Sequence, residues 1–150
     1  MRLEIVLDAG PLSEAPNPPS SGEGERCRAW LRALIVADHR VWVPAISDYE
    51  VRRELLRAGK IDGIERLDRP ARDLKFLPLS PWTLRVAARL WANARNAGLT
   101  TAEDAALDGD VILAAQAIRV GRPGRPVVVA TKNVRHLDRY VDARYWESIS

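Results

Sequence analysis

Four acidic side chains lie where a parallel sheet would bring them to one edge. Asp8 directly follows the apolar run 3–7, and Glu50 lies early in the helix expected after a second strand. Asp108 and Asp110 open an alanine-rich helix further along the chain. Two carboxylates about 4 Å apart repel by about 4 kcal/mol at an effective dielectric constant of about 20, so a shared pocket requires a cation. Mg²⁺ or Mn²⁺ is expected, because hard oxygen ligands suit these ions and no Cys or His cluster competes.

A hydroxyl and an amide are expected at the same edge of the sheet. Thr131 and Asn133 come directly after the continuous apolar strand predicted over 127–130. Groups of this kind can hold a water or a phosphate in place. Each is also an ordinary helix cap, and the sequence leaves both interpretations open.

Each acid has a structural interpretation as well. The spacing of Ser47 and Glu50 matches a capping box, in which the Glu50 carboxylate accepts from the Ser47 backbone N–H. Asp108 is an acceptable helix N-cap, and Asp110 complements the helix dipole. Asp8 could cap the turn that follows it. The choice between local caps and a shared site is therefore left to the fold.

Other catalytic chemistries lack their residues. The sequence has no phosphate-binding glycine loop, no H-E-x-x-H zinc motif and no G-x-S-x-G nucleophile elbow. His39 and His136 could form an acid and base pair for metal-free RNA cleavage, but His39 is expected on the surface after a helix end. A phosphatase on a similar sheet is disfavoured, because Asp8 has no second aspartate two residues on.

The elements that must position these residues alternate between strands and helices. Because the strands lack polar alternation, they indicate a parallel α/β sheet covered on both faces, with ligands bound beyond the carboxyl ends. A flexible loop is expected over 17–24. The predicted strands are 3–7, 41–44, 76–79, 127–130 and an edge strand near 145–146, and the predicted helices are 23–38, one from Ser47, one from Pro81 to Gly98, and one from Asp108.

The composition fits one ordinary globular domain. The chain has 150 residues, of which 47% are hydrophobic and 29% charged, enough for a core of its own. The one cysteine, Cys27, excludes a disulfide framework and predicts core filler. No apolar run reaches the ~20 residues of a membrane span, and charges within 1–12 do not suit a signal peptide, so a cytoplasmic protein is expected. A net charge of +3 permits nucleic-acid contact without requiring it.

Four stretches together carry a family resemblance. They are 5–12, 44–55, 107–117 and 130–137, in that order along the chain. In sequence and order they resemble the PIN-domain nucleases, particularly the VapC-like toxins of bacterial toxin–antitoxin modules. The resemblance implies a three-layer α/β/α sandwich with a central parallel sheet, formed by 1–150 as a single PIN-like nuclease domain. It also implies a ribonuclease site that depends on Mg²⁺ or Mn²⁺.

By this resemblance Asp8, Glu50 and Asp110 match the family's acids, and Asp108 is a further candidate ligand. The family often has another Asp near the Thr-x-Asn segment, where this chain has His136. Asn133 or Asp108 is a candidate to replace that acid.

The predicted activity is metal-assisted hydrolysis of RNA phosphodiester bonds. Asp8 and Asp110 would bind the ion directly, and Glu50 and Asp108 would hold it through water or a second ion. Thr131 and Asn133 would position the attacking water or the phosphate. The alternative is a catalytically silent PIN-like module that binds RNA or a protein partner.

Partners follow from the resemblance and from the basic and aromatic residues. Arg52 or Arg53, one turn from Glu50, is a candidate for contact with the RNA backbone. The resemblance implies a cognate small antitoxin and a homodimer, with no membrane. Trp30, Trp82 and Trp91 are candidates to line a protein surface, with packing in the core as the alternative.

Overall fold

The computed structural model describes residues 1–14, 16, 22–69, 74–98 and 104–150. Most of the loop predicted over 17–24 lies outside these ranges. Its last three residues do not form a loop, because the first long helix already begins at Gly22.

Five parallel strands form one sheet with the order β3-β2-β1-β4-β5. The strands are β1 (Glu4–Leu7), β2 (Arg40–Pro44), β3 (Leu74–Leu77), β4 (Val127–Thr131) and β5 (Ala143–Tyr145). The helices are α1 (Ala9–Leu12), α2 (Gly22–Val36), α3 (Ala45–Arg57), α4 (Ile61–Asp68), α5 (Pro81–Asn96), α6 (Asp104–Val120) and α7 (Val134–Leu137), followed by a 3-10 turn at Trp146–Ser148. The predicted α/β class with a central parallel sheet is confirmed.

Side chains of β1 alternate between two cores, one on each face of the sheet. Ile5 and Leu7 pack in a cluster that contains Leu31 of α2, whereas Val6 packs with Leu113 of α6. Because apolar residues cover both faces, β1 reads as an unbroken hydrophobic run. The two cores make the three layers that were predicted.

Several element boundaries differ from the sequence prediction. Helix α3 begins at Ala45 after Pro44 as N-cap, so Ser47 lies inside the helix and the capping box at Ser47 is wrong. Strand β3 ends at Leu77 rather than 79, because Pro78 lacks an N–H for the ladder.

The ends of α5 follow the prediction. Ser80 is the N-cap, and its Oγ accepts from the Thr83 N–H at 3.2 Å, with Pro81 at the first helical position. Gly98, just beyond the helix, has a φ of +65°. This left-handed conformation suits glycine because it has no Cβ.

Two side chains test the expected burial. Cys27 is buried, as predicted for core filler, and its Sγ donates to the Pro11 carbonyl at 3.4 Å. His39 is not on the surface: it is buried, and its Nδ1 accepts from the Leu3 N–H at 2.9 Å. The bond joins the α2–β2 turn to the start of β1, which explains the burial. In the part of the chain that the structure describes, no helix is long and apolar enough to cross a membrane.

Candidate active site

Asp8 is fixed at the carboxyl end of β1. Its backbone N–H donates to the Ala130 carbonyl at 2.9 Å, which continues the ladder with β4. Its Oδ1 accepts from the Ala9 N–H at 2.7 Å, and its Oδ2 accepts from the Thr131 hydroxyl at 2.7 Å. Asp8 therefore caps α1, as its structural interpretation predicted. Each carboxylate oxygen still has a lone pair free of these two bonds.

Glu50 reaches toward α6 through a gap left by a glycine. A Cβ on Gly109 would stand 2.8 Å from the Glu50 Oε1, so a side chain at that position would displace the carboxylate. Burial raises the pKa of Glu50, and the negative charges of Asp8 and Asp110 raise it further, against an opposing effect of Arg53. Glu50 is therefore held close to two other carboxylates.

Asp110 has the most perturbed carboxyl group of the site. Burial raises its pKa to about 6, and the charge of Asp8 also raises it, although His136 acts in the opposite direction. The His136 Nδ1 lies 3.5 Å from the Asp110 Oδ2. Ionised Asp110 is thus disfavoured even with an imidazole beside it.

The three carboxylates form one electrostatic unit, which we call the acidic triad (Asp8, Glu50 and Asp110). Asp8 raises the pKa of both other members, and Asp110 raises that of Glu50. Within the described residues, no group of three or more His, Cys, Asp or Glu is spaced to hold a metal ion as it stands. The donor chemistry nevertheless fits a hard divalent cation, because the triad offers only carboxylate oxygens and its mutual repulsion favours a positive charge.

Asp108 does not join the triad. Its side chain is exposed and borders a cavity of about 330 Å³ between α5 and α6, beside Leu84 and Trp91. Helix α6 begins at Asp104, so Asp108 is not an N-cap and lies within the helix with Asp110. Residues two positions apart in a helix are about 200° apart around its axis, so Asp108 and Asp110 face different sides.

Thr131 and Asn133 have different roles. Thr131 is buried, and its Oγ1 donates to Asp8 and accepts from the Asn133 N–H at 2.9 Å. The Asn133 side chain is exposed and makes no cap hydrogen bond to α7, although Asn133 is the N-cap residue. Thr131 therefore positions Asp8, and the Asn133 amide is not used as a helix cap.

Comparison with known proteins bears on the fold. No family model matches the sequence, and no curated protein matches it. Among solved structures, a chain in the crystal structure of VapBC2 from Rickettsia felis, bound to a DNA fragment from their promoter, matches with a TM-score of 0.69 and 14% identity. The match covers 95% of this chain and 98% of that chain. The fold is PIN-like.

Within this PIN-like fold, Gln116 sets the spacing of the two helices that carry Glu50 and Asp110. Its side chain is fully buried; Oε1 accepts from the Ile46 N–H at 3.2 Å, and Nε2 donates to the Leu77 carbonyl at 2.9 Å. It thereby ties α6, which carries Asp110, to the start of α3, which carries Glu50. This role was not predicted from the sequence, where the available signal was the one polar residue in the apolar run 111–118.

Lys132, the residue after β4 in the PIN-like sheet, joins the end of that strand to helix α2 and to the turn that follows α1. Its Nζ lies 2.6 Å from the Glu14 Oε1 and 2.9 Å from the Glu23 Oε1. The aliphatic part of its side chain lies against Gly10, where a Cβ would approach its Cγ to 3.1 Å. These two ion pairs were not predicted from the sequence, because Lys132 lies more than 100 residues from each glutamate.

The two arginines that were candidates for RNA contact have different partners. Arg52 binds Asp48 at 3.1 Å and Asp68 at 2.6 Å, which joins α3 to α4. Arg53 lies over the Tyr49 ring at 5.1 Å and lines a cavity of about 860 Å³ that Glu50 also lines. Of the two, Arg53 is the one placed beside the triad in this PIN-like fold.

Proposed function

We propose that this chain is a divalent-metal-dependent endoribonuclease and the toxin of a toxin–antitoxin pair. The observation that carries the proposal is the acidic triad, at the carboxyl edge of a parallel sheet with a PIN-like fold. In such sheets this edge is where ligands bind. Carboxylates that raise one another's pKa values repel when they are ionised, and a bound cation would offset this repulsion. The same cation would neutralise negative charge on a phosphodiester during hydrolysis.

The chain's own residues would hold and orient the reacting groups. Asp8 and Asp110 are proposed to bind the ion directly, with Glu50 reaching it through water or a second ion. Asp108 is not in this set, because it faces the α5 side. When bound, a divalent ion would supply Lewis acidity to the attacking water and positive charge to the phosphate.

Hydrogen bonds to Asp8 and the side chain of Asn133 would orient the ligands and the substrate in the site. The Thr131 hydroxyl and the Ala9 N–H hold one oxygen each of Asp8, which fixes the direction of its remaining lone pairs. The exposed Asn133 amide, which caps nothing, is proposed to contact the scissile phosphate. Preorganised groups of this kind lower the barrier because they need no rearrangement during the reaction.

Arg53 is the proposed contact to the RNA backbone. It lines the same cavity as Glu50, whereas the guanidinium of Arg52 is already engaged by two aspartates. Arg57, Lys60 and Arg66 line the cavity further from Glu50 in sequence. Because Glu54 and Asp62 also line the cavity, its four cations exceed its three acids by one, and it would offer the phosphates of an RNA strand a small excess of positive charge beside the triad.

A small antitoxin is the proposed protein partner, and we propose that the protein acts in the cytoplasm as a homodimer. The likeness to a chain of VapBC2 supports the partner. Co-purification of the chain with the product of a neighbouring small gene, together with light scattering of each form, tests both assemblies. A solitary chain that never slows growth would contradict the toxin role.

RNA cleavage by the purified chain is the main experiment. Total RNA is incubated with the protein in Mg²⁺, Mn²⁺ or a chelator, beside Asp8→Asn and the control Asp142→Asn. Asp142 is an exposed acid at the amino end of β5, paired with Arg144 at 2.7 Å. We expect Asp8→Asn to lower the rate by about 10²–10³-fold or more, with 5′-phosphate and 3′-hydroxyl ends in the wild type. Full turnover by a folded Asp8→Asn protein would refute the assignment.

One observation favours the alternative of a silent module. Among the described residues no three potential ligands are close enough to hold an ion as placed. If the wild type binds RNA or a partner but cleaves in none of the metals, the silent module is the correct function. Cleavage that stops with the chelator and returns with added metal would reject it.

A further inference from the structure

His136 stands beside the triad on a separate element. Its Nδ1 lies 3.5 Å from the Asp110 Oδ2, and its side chain is 38% exposed against 25% for Asp110. Helix α7, which carries His136, is anchored by the buried Leu137, which packs in the same cluster as Leu113 of α6. The imidazole is therefore held near the carboxylate by the packing of two helices.

The distance between the two side chains is informative. A charge-assisted hydrogen bond between nitrogen and carboxylate oxygen measures about 2.7–2.9 Å, which is clearly shorter than the distance observed. Two ligands at right angles in an octahedral shell of about 2.1 Å are about 3.0 Å apart. Two donors at this separation need only a small adjustment to meet on one ion.

We propose that His136 contributes an imidazole nitrogen to the divalent ion that Asp110 holds, and that this nitrogen makes the site prefer Mn²⁺ over Mg²⁺. The inference rests on the proposed metal-dependent function. Mg²⁺ binds oxygen almost exclusively, whereas an imidazole nitrogen is a good ligand for transition-metal ions. A site of carboxylates alone would favour Mn²⁺ less.

A different role for His136 makes the opposite prediction. If His136 served only as a positive counter-charge to Asp110, an incoming cation would have to displace it. Removal of the ring would then strengthen metal binding. If His136 is a ligand, its removal weakens the binding of Mn²⁺ and changes that of Mg²⁺ less.

Pulsed electron paramagnetic resonance of bound Mn²⁺ tests for the nitrogen directly. The tag-free full chain is loaded with Mn²⁺ alone and examined for coupling to ¹⁴N, beside His136→Asp and His136→Ala. The sequence has two histidines, and the other one, His39, is buried where β1 and β2 begin, at the opposite edge of the sheet. A directly bonded imidazole signal that is present in the wild type and absent from His136→Asp can therefore come only from His136.

Calorimetry with Mn²⁺ and with Mg²⁺ gives a second readout that does not depend on activity. We expect His136→Ala to weaken Mn²⁺ binding by about 10-fold or more. His136→Asp, which returns an oxygen ligand, should retain Mg²⁺ binding and reduce the preference for Mn²⁺ by about 10-fold. Circular dichroism confirms that each variant is folded, which we expect because the ring is partly exposed.

The outcomes separate this inference from the proposed function. Mn²⁺ that binds in an Asp8-dependent manner without ¹⁴N coupling would overturn the role of His136 alone. Tighter Mn²⁺ binding by His136→Ala would do the same and would identify a counter-charge. If the wild type binds neither ion in an Asp8-dependent manner, both the inference and the metal-dependent function fail.

Discussion

The two ends of strand β1 carry carboxylates in opposite electrostatic surroundings. Glu4, at the amino end, is fully buried and accepts from the Trp42 indole N–H at 2.6 Å. Three guanidinium groups lie within 3.5 Å of its carboxylate, from Arg40, Arg122 and Arg125. Positive charge therefore exceeds negative charge around Glu4.

Asp8, just beyond the carboxyl end, has acids as its neighbours. It raises the pKa of Glu50 and of Asp110, and the opposing effects of Arg53 on Glu50 and of His136 on Asp110 leave both pKa values raised. A buried carboxylate with its own cations needs nothing further to be stable. Carboxylates gathered without enough positive charge favour the binding of a cation, which is why one edge is structural and the other is the candidate site.

Glu4→Gln should give the largest change in stability. Glutamine keeps the size of the side chain and an acceptor for Trp42, but it leaves three guanidinium groups without their counter-charge. We expect the free energy of unfolding to fall by about 3 kcal/mol, measured by urea denaturation. Cleavage per folded molecule should stay at the wild-type level. A stable Glu4→Gln protein with lost activity would mean that the two edges are not separate.

Thr131→Val tests whether Asp8 depends on its hydroxyl partner. Valine has the shape of threonine but cannot donate to the Asp8 Oδ2, a bond of 2.7 Å to a charged acceptor. We expect a loss of about 2 kcal/mol in stability and a lower cleavage rate. Thr131→Ser, which keeps the hydroxyl, is the matched control and should recover most of both. Equal activity of the valine and serine variants would contradict a positioning role.

The sequence predicted the sheet better than the helix starts. Continuous apolar runs such as Val127–Ala130 predict buried parallel strands. The parallel pairing of β1 with β4 brings Asp8 and Thr131 together. Helix starts failed at Ser47 and Asp108, because good N-cap residues also occur inside helices. As an N-cap, Asp108 would lie at the helix end close to Asp110, whereas the real start at Asp104 makes both acids helical residues that face different sides.

Long-range ion pairs could not be predicted either. Glu4 meets Arg122 and Arg125 only through the pairing of β1 with β4 and the turn that precedes β4. Nothing in the local sequence distinguishes the paired Glu4 from the acids of the triad. That difference depends on which side chains the register of the sheet places within reach.

Asp110→Asn should stabilise the metal-free protein. The folded pKa of Asp110 is about 6 against an ordinary value of 3.8, so folding disfavours the ionised form. Stability is then lost as the pH rises from about 4 to about 6, and asparagine removes this penalty. With chelator at about pH 7 we expect the variant to be more stable by about 1–2 kcal/mol, with the difference gone below about pH 4.

Thermal melts across this pH range measure the effect, and added Mn²⁺ provides the control. Mn²⁺ should raise the melting temperature of the wild type more than that of Asp110→Asn, because only the wild type has the full set of carboxylates. A variant that is less stable than the wild type at every pH would show that Asp110 is a structural acid like Glu4.

Ser47→Ala should give the smallest change, and it separates an unused polar group from a functional one. Ser47 lies one turn before Glu50 on α3, and within the described chain its buried Oγ has no hydrogen-bond partner. Alanine removes that group and favours the helix, so we expect stability to rise by about 0.5 kcal/mol with unchanged cleavage. A capping box would instead predict a loss of about 1 kcal/mol. If stability rises and cleavage falls, the Ser47 hydroxyl acts together with Glu50, and the functional edge extends one helical turn further than the triad.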